Sequence, residues 1–343
     1  MKKKLRNFIQ NRLPLWFVRT PLLSSLYYFI FSKKFRREHH AVLSGKVSHL
    51  KGSYSVNANL YTLIRNTHRI EKGLLMKPRR DVFASDFIAE TVSCYEKVYS
   101  NDFCVKSSQE KWFTDVLTEY FSVTGSHPVL DTQRERFFQI VSDIQDSENG
   151  TIKSIPYKRI TENKPQISYE DFYSLTRYRR SVRWFLNKKV PHELIDKAIL
   201  AANQSPTACN RQPYEFRVID EPELLTKVSS IPMGVRGYEH NIPMMVVVVG
   251  NLDAYFDERD RHVMYIDASL ANMSLILALE TLGLSSCAIN WPDIEIKERQ
   301  MQKLLKLQPY QRPIMCLAVG YADPEGFVAY SEKRALDLIR KYN

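Results

Sequence analysis

A chain of 343 residues, 44% hydrophobic and 25% charged, is long enough for two packed domains and ordinary enough in composition to be globular. Its 11 glycines and 16 prolines follow no repeating period, which excludes collagen-like and low-complexity chains. The net charge of +11 sits at one end: residues 1–37 carry ten Lys and Arg and no acid, while the rest of the chain is almost neutral and makes no case for a nucleic-acid face.

The head, residues 1–40, places two basic clusters (Lys2, Lys3, Lys4 and Arg6, then Lys33, Lys34, Arg36 and Arg37) around an apolar stretch from Leu13 to Phe31 that is rich in aromatic residues. Pro14, Arg19 and Pro21 interrupt that stretch, whereas a membrane-crossing helix needs about 20 apolar residues in a row. No small-residue cleavage site follows it, which argues against a signal peptide. Two readings stand. In one, residues 1–37 lie on an anionic membrane surface, with cations on the headgroups and aromatics at the boundary. In the other, they pack on the protein's own body or on a dimer partner. The expected location is cytoplasmic, with peripheral attachment to the inner membrane face under the first reading.

From 41 to 165 the pattern is helical. Leu60, Leu63, Ile64, Ile70 and Leu74 recur at helical spacing between Asn57 and Leu75, with Gly73 as a candidate stop, and further helices are predicted at 85–99, 109–122 and 132–147. The segment His68-Arg-Ile-Glu-Lys-Gly-Leu74 reads as a charge network on a helix surface or as the lining of a substrate entrance. A polar stretch from Ser147 to Gln166, with Gly150, Pro156 and Pro165, marks the boundary to a final domain at 166–343.

In that domain helices are predicted at 168–178 and 191–203, and a strand at 215–219. A buried strand is expected over Pro243-Met-Met-Val-Val-Val-Val-Gly250, and a long apolar helix over 261–282, ended by Gly283. Strands at 285–291 and 313–320 flank a helix at 295–306, so the fold class is α+β. The five cysteines are widely spaced without a CxxC and read as reduced intracellular thiols; the histidines form no HExxH, so no metal site is expected. GxGxxG and GxxxxGK[ST] are both absent, so a nucleotide would have to be held another way.

Two segments offer such a way. Arg179-Arg180-Ser181-Val182-Arg183 gathers three guanidinium groups and a hydroxyl within five residues, which suits either a phosphate cradle or a solvated basic surface. Ser205-Pro-Thr-Ala-Cys-Asn210-Arg-Gln212-Pro-Tyr-Glu-Phe216 presents two amides, able to read the edge of a heterocycle or simply to cap backbone groups.

Taken together, RRSVRxF followed by a helix and SPTxxNxQPxxF resembles the FMN-dependent nitroreductase superfamily. The helix from Asp267 to Ala278, the segment Gly283 to Ile289 and the pair Gly320-Tyr321 match that family in order, over about residues 170–340. The resemblance implies a nitroreductase-like mixed sheet flanked by helices, here preceded by a mostly helical N-terminal region. It also implies a homodimer that binds FMN, takes hydride from NAD(P)H and reduces a small-molecule acceptor such as a nitro compound, quinone, enone or specialised biosynthetic substrate.

Position by position, Arg179, Arg180 and Ser181 match the residues that hold the flavin phosphate and ribityl chain, and Arg183 the one that approaches the ring. Pro206, Thr207 and Ala208 match a segment packing on the flavin bound mainly by the partner subunit, with Asn210 and Gln212 as its polar pair. Ile289 and Asn290 fall where a backbone N–H meets flavin N5, and Arg334 matches a late phosphate-binding Arg. Thr207 stands where the family usually has Ser, and Asn290-Trp291 replaces an acidic-Gly pair, so Trp291 is expected to narrow the substrate face. The segment around His68, with Lys77 to Arg80, is similar to extended nitroreductase-like proteins of bacteria. A scaffold role for the same fold, or an oxidative flavin reaction, is the alternative.

Overall fold

The protein is described by a computed structural model covering residues 8–51, 56–100, 107–143 and 153–343. Helices α1 (Pro14–Phe17), α2 (Pro21–Ile30) and α3 (Arg36–Lys51) lead into α4 (Val56–Leu74), α5 (Ile88–Tyr99), α6 (Ser107–Val123) and α7 (Pro128–Asp143). Then come α8 (Tyr169–Tyr178), α9 (His192–Ala202), β1 (Tyr214–Ile219), α10 (Pro222–Ser229), β2 (Met244–Asn251) and α11 (Val263–Thr281). The chain ends with β3 (Ser285–Asn290), α12 (Glu295–Leu305), β4 (Gln311–Gly320) and the short α13 (Leu336–Ile339).

The four strands form one sheet in the order β1-β2-β4-β3, every neighbour antiparallel, and an isolated parallel bridge from Ser181 to Ser286 adds the mixed element. Its organising strand is β2, where consecutive valines favour extended backbone and every residue is buried. Because side chains alternate, Met245, Val247 and Val249 enter one core, which includes Val228 of α10 and Met301 of α12. Met244, Val246 and Val248 enter the opposite core with Ala198 of α9 and Leu275 and Leu279 of α11. The sheet is therefore the middle of three layers, each buried apolar side chain contributing about 1.5–3 kcal/mol. Pro313, in β4, lies beyond the last residue paired with β3, beside a bulge opposite Val248 and Val249. A residue without an N–H is tolerated at such a place.

The helices α4 to α7 build their own core around Leu63, Ile70, Val92, Phe113, Leu117 and Phe137. The two parts meet through α3 and α4. Gly45 of α3 lies so close to residue 252 that a Cβ there would fall 2.6 Å from the Leu252 Cβ, and Lys46 pairs with Glu258 at 2.8 Å. Ala41 joins Leu252, Tyr255 and Met264 in a small shared cluster against which Tyr61 of α4 packs.

The predicted helices and strands of the last domain are present, with shifts of a residue or two at their ends. Missed were α3, whose polar run around Gly45 carries little apolar periodicity, α10, only eight residues long, and the four-residue α13. The helix predicted from 132 begins at Pro128, a residue suited to a first helical turn, with the Asp131 carboxylate accepting from Ser126 and from the His127 N–H. The predicted end of that helix at 147, with Ser147, Gly150 and Cys104, lies outside the described residues.

Candidate functional site

Ser168 caps α8, its Oγ accepting from the Asp171 N–H at 3.0 Å, and the chain leaves the helix at Arg179 with φ −54° and ψ 121°. It then runs beside β3, where the Val182 N–H donates to the Ser286 carbonyl at 3.1 Å. Val182 and Phe185 are buried in the sheet core, leaving Arg179, Arg180 and Ser181 half-buried and Arg183 exposed. Arg180 donates to the Arg179 carbonyl, and Arg183 to the Ser181 carbonyl while lying 6.0 Å from the Tyr238 ring. Arg179 Nε is buried with no hydrogen-bond partner. Burial raises the pKa of Glu280 on α11, an effect that the charge of Arg179 partly opposes. None of the three arginines is in an ion pair among the described residues. Guanidinium forks held on one short segment without acidic partners form a donor set suited to phosphate.

The second segment rides on α11. Ser205 Oγ lies 2.8 Å from Ser274 Oγ, and the Ala208 N–H donates to Asp267 Oδ2 at 3.0 Å. Cys209, Asn210 and Gln212 hold φ near +55°, a conformation that costs non-glycine residues about 1 kcal/mol or more each. The turn is held there by Arg211, buried and donating to the Ala208 carbonyl at 3.3 Å, and by the Gln212 N–H to Thr207 Oγ1 at 3.2 Å. Gln212 Nε2 donates to both the carbonyl and Oδ1 of Asn210, so the two amides partly satisfy each other, leaving Asn210 Nδ2 and Gln212 Oε1 unspent. Helix α4 packs directly on the 208–210 turn.

Ile289 is buried and Asn290 exposed at the end of the edge strand β3. Trp291, expected at the substrate face, is instead in the core: its Nε1 donates to Glu298 Oε1 at 2.8 Å, and Glu298 is paired with the equally buried Arg312 at 2.9 Å. A buried carboxylate and guanidinium that satisfy each other claim the indole N–H as well, and this fixes the ring inward. Arg334 is exposed and donates to the Leu338 carbonyl within its own segment. From Phe327 onward every residue of this tail is exposed.

A family profile described as "Nitroreductase family" matches residues 176–234 and 240–321, from just before the arginine segment to the end of β4. These residues form a nitroreductase-family domain. It is similar to iodotyrosine deiodinase 1 of Homo sapiens, 25% identical over 225 residues, or 57% of this chain and 76% of that protein. It is also similar to a putative NADH dehydrogenase/NAD(P)H nitroreductase of Methanothermobacter thermautotrophicus, 26% identical over 157 residues, or 46% of this chain and 80% of that protein. Among solved structures, an FMN-dependent nitroreductase from Clostridium difficile R20291 is 24% identical, with a TM-score of 0.43, over 50% of this chain and 99% of that one.

Outside the nitroreductase domain, the segment around His68 makes contacts within the helical region. Glu71 accepts from Trp112 Nε1 at 2.9 Å and faces His68 Nδ1 at 3.2 Å, while Arg69 stacks 3.6 Å from the Phe87 ring centroid. The charge-network reading fits these contacts.

Sequence reasoning passed over Arg211, Asp267 and Asp253. The first two had a usable signal: Arg211 lies inside the second motif, and Asp267 is one of two acids in an otherwise apolar helix. Asp253 had none. It lines a polar cavity of about 300 Å³ between α4 and the sheet, shared with Tyr61, Arg211, Glu215, Asn251 and Tyr310. Only 5% exposed and with Oδ1 unpartnered, its carboxyl is pushed up to about 6 by burial, with the charge of Glu215 adding to the shift and a hydrogen bond with Tyr310 opposing it.

The folded chain therefore holds this proton more tightly than the unfolded one, so stability falls as pH rises from about 4 to about 6 and stays reduced above that window. Asp253→Asn is expected to raise stability by about 1–3 kcal/mol at pH 7.5 and to change it little at pH 4. Thermal melts at the two pH values check this, and an unchanged midpoint at pH 7.5 would show that the carboxylate is not desolvated.

Proposed function

We propose that the chain is an FMN-dependent oxidoreductase that takes hydride from NAD(P)H and passes it to a small electron-poor acceptor. One observation carries the reading: in a nitroreductase-family domain, Arg179, Arg180 and Arg183 lie on one segment beside β3, in no ion pair among the described residues, and Arg179 keeps a buried, unsatisfied Nε. FMN, when bound, supplies the ring that accepts and donates hydride. Arg179, Arg180 and Ser181 hold its phosphate and ribityl chain, and Arg183 offsets negative charge near the ring. Pro206, Thr207 and Ala208 supply packing, and Asn210 and Gln212 the amide groups left unspent by their mutual bonds. Ile289 and Asn290 supply backbone N–H. Neither Cys94 nor Cys316 serves as a nucleophile, since burial pushes both thiols up to about 12.

A homodimer completes this site. On α11, Ile266, Leu270 and Met273 form an exposed apolar stripe, and the helix carrying it also anchors the 205–212 segment through Ser274 and Asp267. That segment thus faces a flavin held by the second copy, and the exposed tail with Phe327, Tyr330 and Arg334 reaches across to it.

The purified full chain is expected to be yellow, with one FMN per subunit. Anaerobic NADH or NADPH should bleach it, and an acceptor should restore the colour. The named activities of the relatives set the first acceptors to try, a nitroaromatic and an iodotyrosine. A colourless chain that takes up no added FMN would point to the scaffold role instead. A yellow chain that neither nicotinamide bleaches would point to oxidative chemistry.

A further inference from the structure

The head is folded but uncovered. Helix α2 starts with Pro21 behind a Thr20 cap, whose Oγ1 accepts from the Leu23 N–H at 3.2 Å. It folds back on the preceding turn: Ser24 Oγ donates to the Phe17 carbonyl and Tyr27 OH to the Ile9 carbonyl, and the Phe17 ring lies about 6 Å from those of Tyr27 and Phe31. Yet no residue of α1 or α2 is buried. Trp16, Val18, Leu22 and Phe29 are 62%, 72%, 71% and 79% exposed. An open groove of about 940 Å³ lies between α2, α3 and residues 258–262, with Phe29, Phe35, Val42 and Leu43 on its apolar walls. Contiguous apolar surface of this kind marks an interaction site.

The charge around it identifies the partner. Arg12, Arg19, Lys33, Lys34 and Arg36 are exposed, and none forms an ion pair among the described residues. Arg19 lies over the Trp16 ring at 4.9 Å, and the first acid in the chain is Glu38. Within residues 8–37, exposed aromatics interleaved with cations and no acid complement anionic headgroups over a hydrocarbon boundary, while Glu38 and Glu258 line the groove behind them. At 1.5 Å per residue the ten residues of α2 span about 15 Å, half of a hydrocarbon core, so the segment lies in the interface and does not cross it. Among the described residues one helix, Glu258–Thr281, is long and apolar enough to cross a membrane, but it contains α11, which packs under the sheet.

We infer that residues 8–35 are a monotopic anchor that seats on an anionic lipid surface. Helix α3, which follows the head in the chain, is tied to the nitroreductase domain: Arg37 pairs with Glu295 at 2.6 and 3.0 Å and reaches Gln302, and Gly45 lies against Leu252. The inference is independent of flavin binding.

The test is co-sedimentation of the full chain with vesicles of phosphatidylcholine alone and of phosphatidylcholine with 30 mol% phosphatidylglycerol. Binding is expected on the second only, and should weaken between 0.1 and 0.5 M salt. Lys33→Ala with Lys34→Ala should lower vesicle affinity by at least about tenfold, since each basic residue near an anionic surface contributes roughly a fivefold factor. Leu22→Ser with Phe29→Ser, at exposed positions, should lower it comparably while leaving the thermal midpoint unchanged. Equal pelleting on neutral and anionic vesicles would overturn the inference. So would unchanged binding in both variants, or a failure to pellet combined with a drop in oligomeric state on Leu22→Ser/Phe29→Ser, which would assign the patch to a second copy.

Discussion

Replacing Arg179 and Arg180 together by alanine is expected to give a folded, colourless protein. A hydrogen bond to a charged group contributes about 1.5–3 kcal/mol, so losing one such contact from each guanidinium should weaken FMN binding by about 10²–10⁴-fold. The fold has little at stake, because both side chains are half-buried, neither is in an ion pair, and Arg180 makes only a local bond to the Arg179 carbonyl. Glu280 loses a neighbouring positive charge but keeps Ser285 as a donor. The measurements are the ratio of flavin to protein absorbance after gel filtration and the circular dichroism of the same sample. Lysine at both positions keeps the charge without the fork and should give an intermediate loss. Full flavin retention in the alanine variant would move the phosphate site away from this segment.

Legibility in the sequence followed the range of the interactions involved. The valine run of β2 announces a strand because its β-branched side chains state the local preference and the burial in one stretch. Gly283 announces the end of α11 because that position adopts φ +75°, which favours glycine, while its N–H bonds back to the Glu280 carbonyl. The arginine segment was legible as a donor set, since its three guanidinium groups are neighbours in sequence. Trp291 was not, because the residues that turn it inward, Glu298 and Arg312, lie seven and twenty-one positions further on and are informative only once paired. Nor was the strained 209–212 turn, held by Asp267 from α11 and covered by α4, an element about 150 residues away in the chain. The placement of Asp253 in a cavity between two separately folded cores is a property of their docking, which no local pattern encodes.

Leu270→Arg is expected to turn a flavin-loaded dimer into a flavin-poor monomer. The stripe of Ile266, Leu270 and Met273 points away from the sheet core, which takes Ala268, Leu275 and Leu279 from the other side of the same helix, so the substitution leaves the subunit's own packing intact. In a two-fold dimer each substitution occurs twice on facing surfaces, placing two like charges in apolar surroundings with no acid nearby on the stripe. Burying even one unpaired charge costs several kcal/mol, enough to raise the dissociation constant by a thousandfold or more. Flavin should leave with the partner, because Ser205 and Ala208, which steady the 205–212 segment, are fixed to this helix and present that segment across the boundary. Sedimentation velocity monitored at 280 nm and at the flavin band reads both effects at once. A Leu270→Arg chain that sediments as a dimer with its colour intact would place the subunit boundary elsewhere, and a monomer that keeps full flavin would mean each subunit binds it unaided.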